Sequence, residues 1–488
     1  MIKGTKITLL GIIVAISFIG LLVYFGFAYS GIVSSTLLVV LLILLLYYGI
    51  FSILKKNTLE QNVLCDGRFY VFSAITAYSV IPPIYGVLSM NSNGGVRMRS
   101  TYSALTYTSN ELFLTVLMSF LFMLGILFGV FLRSNSSRNY RNKLNLEHEV
   151  NYLKATPWFV VWVISTVVFL LPFFKGGFSI IMAGGTIADV ATEHEWSYLW
   201  KFIDIFFSSE MMTVSAAAFL FYLYKSDVSD KKKRNILVIL AITEAVLAYL
   251  TTRRARALSI IICALIVYMN WYIDRKGKLP VGRLIMAGGL LVFFYLLEVI
   301  MKQTVVDNSF ANYLQIFDGV YAYDSLLLST RETPSINMLS NVVYGLFRHI
   351  PVFGKYFIEL FGFTQDVSPM YQWMASRFIT YQYGGGLAYT PQLEAYLTLG
   401  YFGCFIYGTV YGLVFGKARH GITNLFVAAM AFSIARGNWE IVLSLLWPYG
   451  IIGYCFYDRF LFSNFKIKLM SSKKEGNVSN RQSYLKGD

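Results

Sequence analysis

Apolar stretches of roughly 17–25 residues recur along the whole chain, and no other feature constrains its fold as tightly. A hydrocarbon layer about 30 Å thick takes about 20 helical residues per crossing, at about 1.5 Å of rise each. Inside that layer every backbone N–H and C=O must be satisfied within the protein, which leaves helices or closed barrels. A barrel would show alternating segments of about 10 residues, whereas these runs are continuously apolar. Charged residues make up 14% of the 488 and apolar residues 56%, against about 25% and 45–50% in soluble domains. The mean hydropathy is +0.58. The expected fold is all-α: a polytopic integral membrane protein of about twelve transmembrane helices.

The spans are expected near 7–28, 32–54, 69–90, 111–132, 157–174, 203–224, 235–251, 256–273, 284–301, 394–416, 420–435 and 441–460. The first run, from Ile7 to about Ala28, is too long for a signal-peptide core and has no cleavage site, so it is read as a retained span. The chain then divides into nine spans over 1–301, a large extracytoplasmic loop over 302–392, three spans over 393–460 and a basic tail over 461–488. With the N-terminus in the cytoplasm, the inside segments are Lys3 and Lys6, 55–68, 133–154, 225–234, 274–283, 417–419 and the tail with Arg459. They hold about two thirds of the 41 Lys and Arg, as the positive-inside rule requires. The net charge of +15 is therefore read as a topology signal; no basic-aromatic groove or motif points to nucleic acid. The tail itself, rich in Ser, Lys and Asn, suits contact with anionic membrane lipid.

A loop of that length without structure is uncommon, so 302–392 is expected to fold. "NYLQIFDGVYAYDSLLL" spaces Tyr313, Ile316, Phe317, Val320 and Tyr321 helically, and "YQWMASRFITYQY" puts Trp373 four residues before Arg377. Both patterns predict amphipathic helices lying at the membrane surface. A second outside segment carries Trp196, Tyr198 and Trp200, residues that suit an interfacial aromatic belt. The four cysteines show no disulfide or metal spacing, and the four histidines form no metal motif, so no metal or cofactor is expected.

Arg253, Arg254 and Arg256 stand against the charge bias, between two apolar runs and on the outer side by the span count. Arg253 and Arg256, three apart, would share a helix face and could grip a diphosphate through bidentate hydrogen bonds. The alternative is an ordinary cytoplasmic cluster, reached if one helix is miscounted; with 225–234 and 274–283 also cytoplasmic, it needs both intervening apolar runs to be non-spanning. Arg348 with His349, Arg377 and Arg436 add further outward cations, each of which alone could be a structural arginine. The ligand class that fits such a rim is an anionic lipid headgroup, phosphate or sugar acid. Glu394, at the start of the tenth span, is a candidate general base, or else a first-turn complement to its own helix dipole. Gly384, Gly385 and Gly386 lack the context of a nucleotide loop and suit a close backbone approach to a ligand or a turn of the chain into the membrane, with Tyr389 beside them.

The stretch "YGGGLAYTPQLEAYLTLGYFGCFIYGTVYGLVFG", residues 383–416, resembles the late segment of Wzy-type oligosaccharide repeat-unit polymerases, which build O-antigen and capsule. "TTRRARALSIIICALIVY" resembles that family's small-residue-then-arginine turn, and "ARGNWEIVLSLLWPYG" its late outer arginine turn. The family's arginine-x10-glycine signature is not met, since Arg377 reaches Gly386 with only eight residues between. Its histidine beside the glycine run is also missing, which leaves His349 as the outer-loop histidine.

The resemblance implies glycosyl transfer on the outer face of a bacterial cytoplasmic membrane, with both termini cytoplasmic. It joins an undecaprenyl-diphosphate-linked glycan to a repeat unit on the same carrier, in some members alongside a chain-length-regulating co-polymerase. Arg253, Arg254, Arg256 and Arg436 would then stabilise the diphosphate leaving group, and Glu394 or His349 would take the acceptor proton. Arg348, Arg377, the glycine run and Tyr389 would orient the glycan. An O-antigen ligase-like transferase and a lipid-linked oligosaccharide flippase are the alternatives.

Overall fold

The computed structural model describes residues 31–90, 95–96, 106–134, 154–172, 206–207, 209–226, 228–250, 254–285, 318–348, 350, 354–362, 368–377 and 389–462. These residues are helical almost throughout, and six of the helices are long and apolar enough to cross a membrane. The expected span 7–28 and nearly all of 284–301 lie outside the described residues.

Five helices come first: α1 (Ile32–Asn57), α2 (Gly67–Leu88), α3 (Ser109–Ser134), α4 (Ala155–Pro172) and α5 (Ser209–Lys225). α6 (Asp230–Leu250) and α7 (Arg254–Lys276) follow as a hairpin. α1 shows why these are membrane helices. It buries Ile43, Leu46 and Ile50 and leaves Leu37, Leu41, Leu45 and Tyr48 exposed, an apolar stripe at helical spacing on both faces. α4 does the same with Val160, Val163 and Val167 outward. Such a surface is stable against hydrocarbon and not against water.

The segments expected in the cytoplasm meet at one end of the bundle. Arg68 forms a buried ion pair with Asp66 and donates to the Gly416 carbonyl (2.9 Å). Asn424 accepts from the Gly67 amide and donates to the Cys65 carbonyl, both at 2.7 Å. Glu60 contacts His420 (3.1 Å) and Asn270 (3.2 Å), and Gln61 bonds Asp274. Lys154 and Tyr222 converge on Asp458. Burial, with Arg68 close by, pushes the Arg419 guanidinium down to about 10.

The expected outer loop begins its described part with α8 (Asp318–Ser329), followed by α9 (Ser340–Arg348), α10 (Gly354–Leu360) and α11 (Pro369–Arg377). α8 does not lie on a surface. Val320, Tyr323, Leu326 and Leu327 are fully buried and Leu328 nearly so, because α2, α3 and the helix Pro391–Phe415 pack around this one; Tyr313, Ile316 and Phe317 lie outside the described residues. α11 is amphipathic as expected, with Met370 and Met374 buried and Gln372 and Arg377 outward. A two-residue antiparallel pair, β1 (Gly95–Val96) with β2 (Tyr107–Thr108), abuts α8 through a bond from the Tyr107 hydroxyl to the Asp324 carbonyl.

α12 (Pro391–Phe415) is the expected tenth span, but it is not straight. Leu399 (φ −135°) and Gly400 (φ 65°, ψ −149°) break it, in a backbone region that favours glycine. Beyond the break the chain folds back on itself. Cys404 Sγ sits 3.9 Å from the Gln392 carbonyl, a separation of about 18 Å in a straight helix. The rings of Tyr396 and Tyr401 meet at 5.3 Å. The expected span 420–435 is likewise divided into α13 (Ile422–Ala429) and α14 (Ala431–Ala435), which meet at Met430. α15 (Trp439–Leu445) winds on as a π-helix over Leu446–Leu461.

The second arm of α12 runs parallel to α3 along a seam of glycines. A Cβ on Gly408 would meet the Phe122 carbonyl at 2.1 Å, and one on Gly412 the Ile126 carbonyl at 2.4 Å. From the other side, Gly125 faces the Phe405 carbonyl and Gly129 that of Thr409. Small residues four apart on both helices let the backbones touch, the usual basis of close helix crossing in lipid.

Candidate functional site

The first arm of α12, Pro391–Thr398, is a half-helix whose N-terminus lies deep in the bundle. Thr390 precedes it with extended backbone and makes no capping hydrogen bond, and Pro391 pre-sets the first turn. Gln392 Nε2 donates to Ser79 Oγ (3.0 Å), near the middle of α2. The positive end of a short helix dipole therefore points to mid-depth, while its other end meets the loop before α9, where the Ser335 amide donates to the Leu397 carbonyl (2.7 Å).

Glu394 is the centre of this region and is 0% exposed. Its Oε1 accepts from Asn341 Nδ2 on α9 (3.0 Å), and its Oε2 accepts from the Trp439 amide at the start of α15 (2.8 Å). Asn341 Oδ1 in turn accepts from the Met370 amide on α11. One carboxylate thus ties the broken span to two helices of the expected outer loop and to the last span. It lies in the first turn of its own helix, where it complements that dipole, and it also meets the N-terminus of α15. Tyr411 stacks edge-on against Trp439 at 4.8 Å. Four buried polar atoms around this crossing make no protein hydrogen bond: Thr390 Oγ1, Gln392 Oε1, Tyr411 Oη and Asn438 Nδ2. They can serve a hydroxyl-rich or anionic group, since each costs about 1–3 kcal/mol when left unsatisfied.

The other expected site residues divide by place. Arg436 caps α14, its amide bonded to the Phe432 carbonyl (2.9 Å), three residues before the Trp439 amide that Glu394 takes. Tyr389 is buried next to Thr390. Arg377 is exposed at the end of α11 and forms a two-point ion pair with Glu332 (2.7 and 3.1 Å). α9 ends at Arg348. Arg254 begins α7, with Arg256 in its first turn. The open end of that hairpin is fixed among the basic segments by the Asp230–Arg275 ion pair, so its arginine turn is at the opposite end. Ser259 and Cys263, bonded to the carbonyls of Ala429 and Leu425, carry α7 in that direction. Arg253, His349, Gly384, Gly385 and Gly386 lie outside the described residues.

Sequence reasoning missed Asn341, Asn438, Tyr411 and the Arg331–Glu111 pair. Arg331 binds both carboxylate oxygens of Glu111 (2.6 and 3.2 Å) and lies over the Tyr107 ring at 5.1 Å. Its carboxylate partner holds this guanidinium above its usual range, as Glu332 does for Arg377. No group of three or more His, Cys, Asp or Glu suited to a metal occurs among the described residues. Comparison with known proteins finds no matching family model, no matching curated protein and no matching solved structure.

Proposed function

We propose that this chain is a membrane glycosyltransferase that polymerises lipid-linked oligosaccharide repeat units, passing a glycan from one polyprenyl diphosphate to a repeat unit on another. The observation that carries this proposal is the convergence of α9, α11, the half-helix and α15 on Glu394, with unsatisfied polar atoms around it, at mid-depth in an apolar bundle. A reaction between two lipid-borne sugars needs such a polar site inside an apolar surround, with cations beside it for the leaving diphosphate. In this reading Arg254, Arg256 and Arg436 supply those cations; Arg254 and Arg256 open α7 at the end of the hairpin away from Asp230 and Arg275, and Arg436 precedes α15. Glu394, each of whose oxygens accepts one hydrogen bond, positions the loop, and Glu394 or His349 takes the acceptor hydroxyl proton.

The test is the surface glycan of cells carrying Arg254→Ala or Arg436→Ala at unchanged membrane levels of the protein. Loss of long chains with one-repeat glycan retained supports polymerisation, and unchanged long chains in both variants refute it. Deletion of the gene separates the classes further: loss of all glycan points to a ligase or flippase. The flippase alternative has one specific feature in its favour. Half-helices with N-termini at mid-depth are a recurring device for binding anionic cargo in transporters, and Pro391–Thr398 has that form.

A further inference from the structure

At the basic end of the bundle, the open end of the α6–α7 hairpin lines an open cleft of about 550 Å³. Its wall carries Lys231, Arg234, Arg275, Lys276 and Arg283 against one carboxylate, Asp230. Asp230 is already paired with Arg275. Lys231, Arg234, Lys276 and Arg283 have no carboxylate within ion-pair distance among the described residues. Arg283 bonds the Tyr268 hydroxyl and lies over the Tyr268 and Tyr272 rings at 5.8 and 5.6 Å. Arg275 lies over Trp271 at 5.4 Å. Rings of this kind mark the level where a bilayer meets water.

An apolar strip begins one helical turn beyond Arg234. On α6, Arg234 is followed at four-residue steps by Val238 and Ile242, and then by Val246, so all share one face. Val238, Ile242 and Val246 are about half exposed, and Ile239 beside them is 65% exposed. A ligand that satisfies both parts has a polyanionic head and apolar chains running along the helix. A free phosphate would use only the first part.

We infer that the open end of the α6–α7 hairpin is a headgroup site for an anionic glycerophospholipid, whose acyl chains lie along Val238, Ile242 and Val246. The site is distinct from the Glu394 crossing and independent of the proposed transfer reaction. Cations at a membrane surface each strengthen anionic-lipid binding about fivefold.

The test uses the purified full-length protein in detergent, offered equal amounts of phosphatidylglycerol and phosphatidylcholine, with retained lipid counted by native mass spectrometry. The wild type is expected to retain phosphatidylglycerol preferentially. Arg234→Gln and Arg283→Gln should each lower that preference about fivefold, whereas Lys417→Gln, on the same end but outside the cleft, should leave it unchanged. Both arginines are exposed, so neither variant endangers folding. Equal retention of the two lipids by the wild type would overturn the inference, as would variants that behave like it. Displacement of phosphatidylglycerol by inorganic phosphate would also overturn it, because the site would then bind phosphate without the chains.

Discussion

Glu394 and Asn341 stand 53 positions apart in the chain and meet as carboxylate and amide at 3.0 Å in a fully buried contact. With the Trp439 amide on the other oxygen, this contact joins three parts of the chain that the sequence keeps separate. Asn341→Ala leaves both a carboxylate oxygen and the Met370 amide without partners. It should destabilise the protein by about 1–3 kcal/mol. Glu394→Gln should cost a similar amount, because one face of its amide then meets a donor with a donor. Thermal unfolding of both variants in detergent checks this, and an unchanged midpoint in both would remove the tether.

The glycine seam between α3 and the second arm of α12 predicts a sharp size limit. Gly408→Ala places a Cβ 2.1 Å from the Phe122 carbonyl, and Gly412→Ala places one 2.4 Å from that of Ile126. Backbone cannot yield as a side-chain tip can, so the helices must separate. Each substitution should cost more than about 2 kcal/mol and lower the membrane level of the protein. Gly282→Ala, which meets nothing within 4 Å, should stay within about 0.5 kcal/mol of the wild type.

Gly400→Ala tests the fold in α12. The backbone there, at φ 65° and ψ −149°, lies in a region that alanine enters only with strain of about 1–3 kcal/mol. The expected result is a straightened span that pulls Glu394 from Asn341. Spin labels at 392 and 404 would report it: their separation should be short in the wild-type background and lengthen toward the roughly 18 Å of a straight helix in Gly400→Ala.

Thiol reactivity should differ sharply among the cysteines. Burial, with Glu60 and Asp66 adding to it, pushes the Cys65 thiol up to about 12. At pH 8 only about one molecule in ten thousand carries the thiolate there, and the fraction grows only as pH rises toward that value. Cys263 and Cys404 are buried as well, whereas Cys455 is exposed on the last helix. A small apolar maleimide should therefore label the folded protein chiefly at Cys455, and all four positions after denaturation. Mass spectrometry of labelled peptides reads the outcome.

Sidedness is open to the same chemistry. In a Cys455→Ser background, Thr252→Cys should react with an impermeant maleimide added outside intact cells, and Ser229→Cys only after lysis. The reverse pattern would place the Arg254 turn in the cytoplasm and end its proposed role at the diphosphate.

Much of this architecture can be read along the chain, because charge and apolarity act locally. The run expected at 111–132 is the core of Ser109–Ser134, and that at 256–273 lies within Arg254–Lys276. In both, charged residues mark an end of the run. The basic segments also meet at one end, as the charge bias requires. The fold in α12 is not readable in this way. Its residues are apolar on both sides of Gly400, and what bends them is tertiary: Pro334 and the Ser335 amide against Gly400 and Leu397, and α3 against the second arm. The seam did have a local signal, in Gly125 with Gly129 and in Gly408, Gly412 and Gly416, each four apart. Asn341 had none, because nothing in "SNVVYGLFR" distinguishes an amide that reaches a distant carboxylate from one that faces water.

The seam also sets an order of events during synthesis. α3 emerges from the ribosome with its glycine groove bare, and the helix that fills it follows roughly 280 residues later, about 15–60 s at ordinary translation rates. During that interval the newborn amino-terminal half must wait in the bilayer for its mate. A chaperone or insertase that shields Gly125 and Gly129 until then, or a quality-control protease that reads them as a sign of unfinished assembly, would meet this protein at that moment.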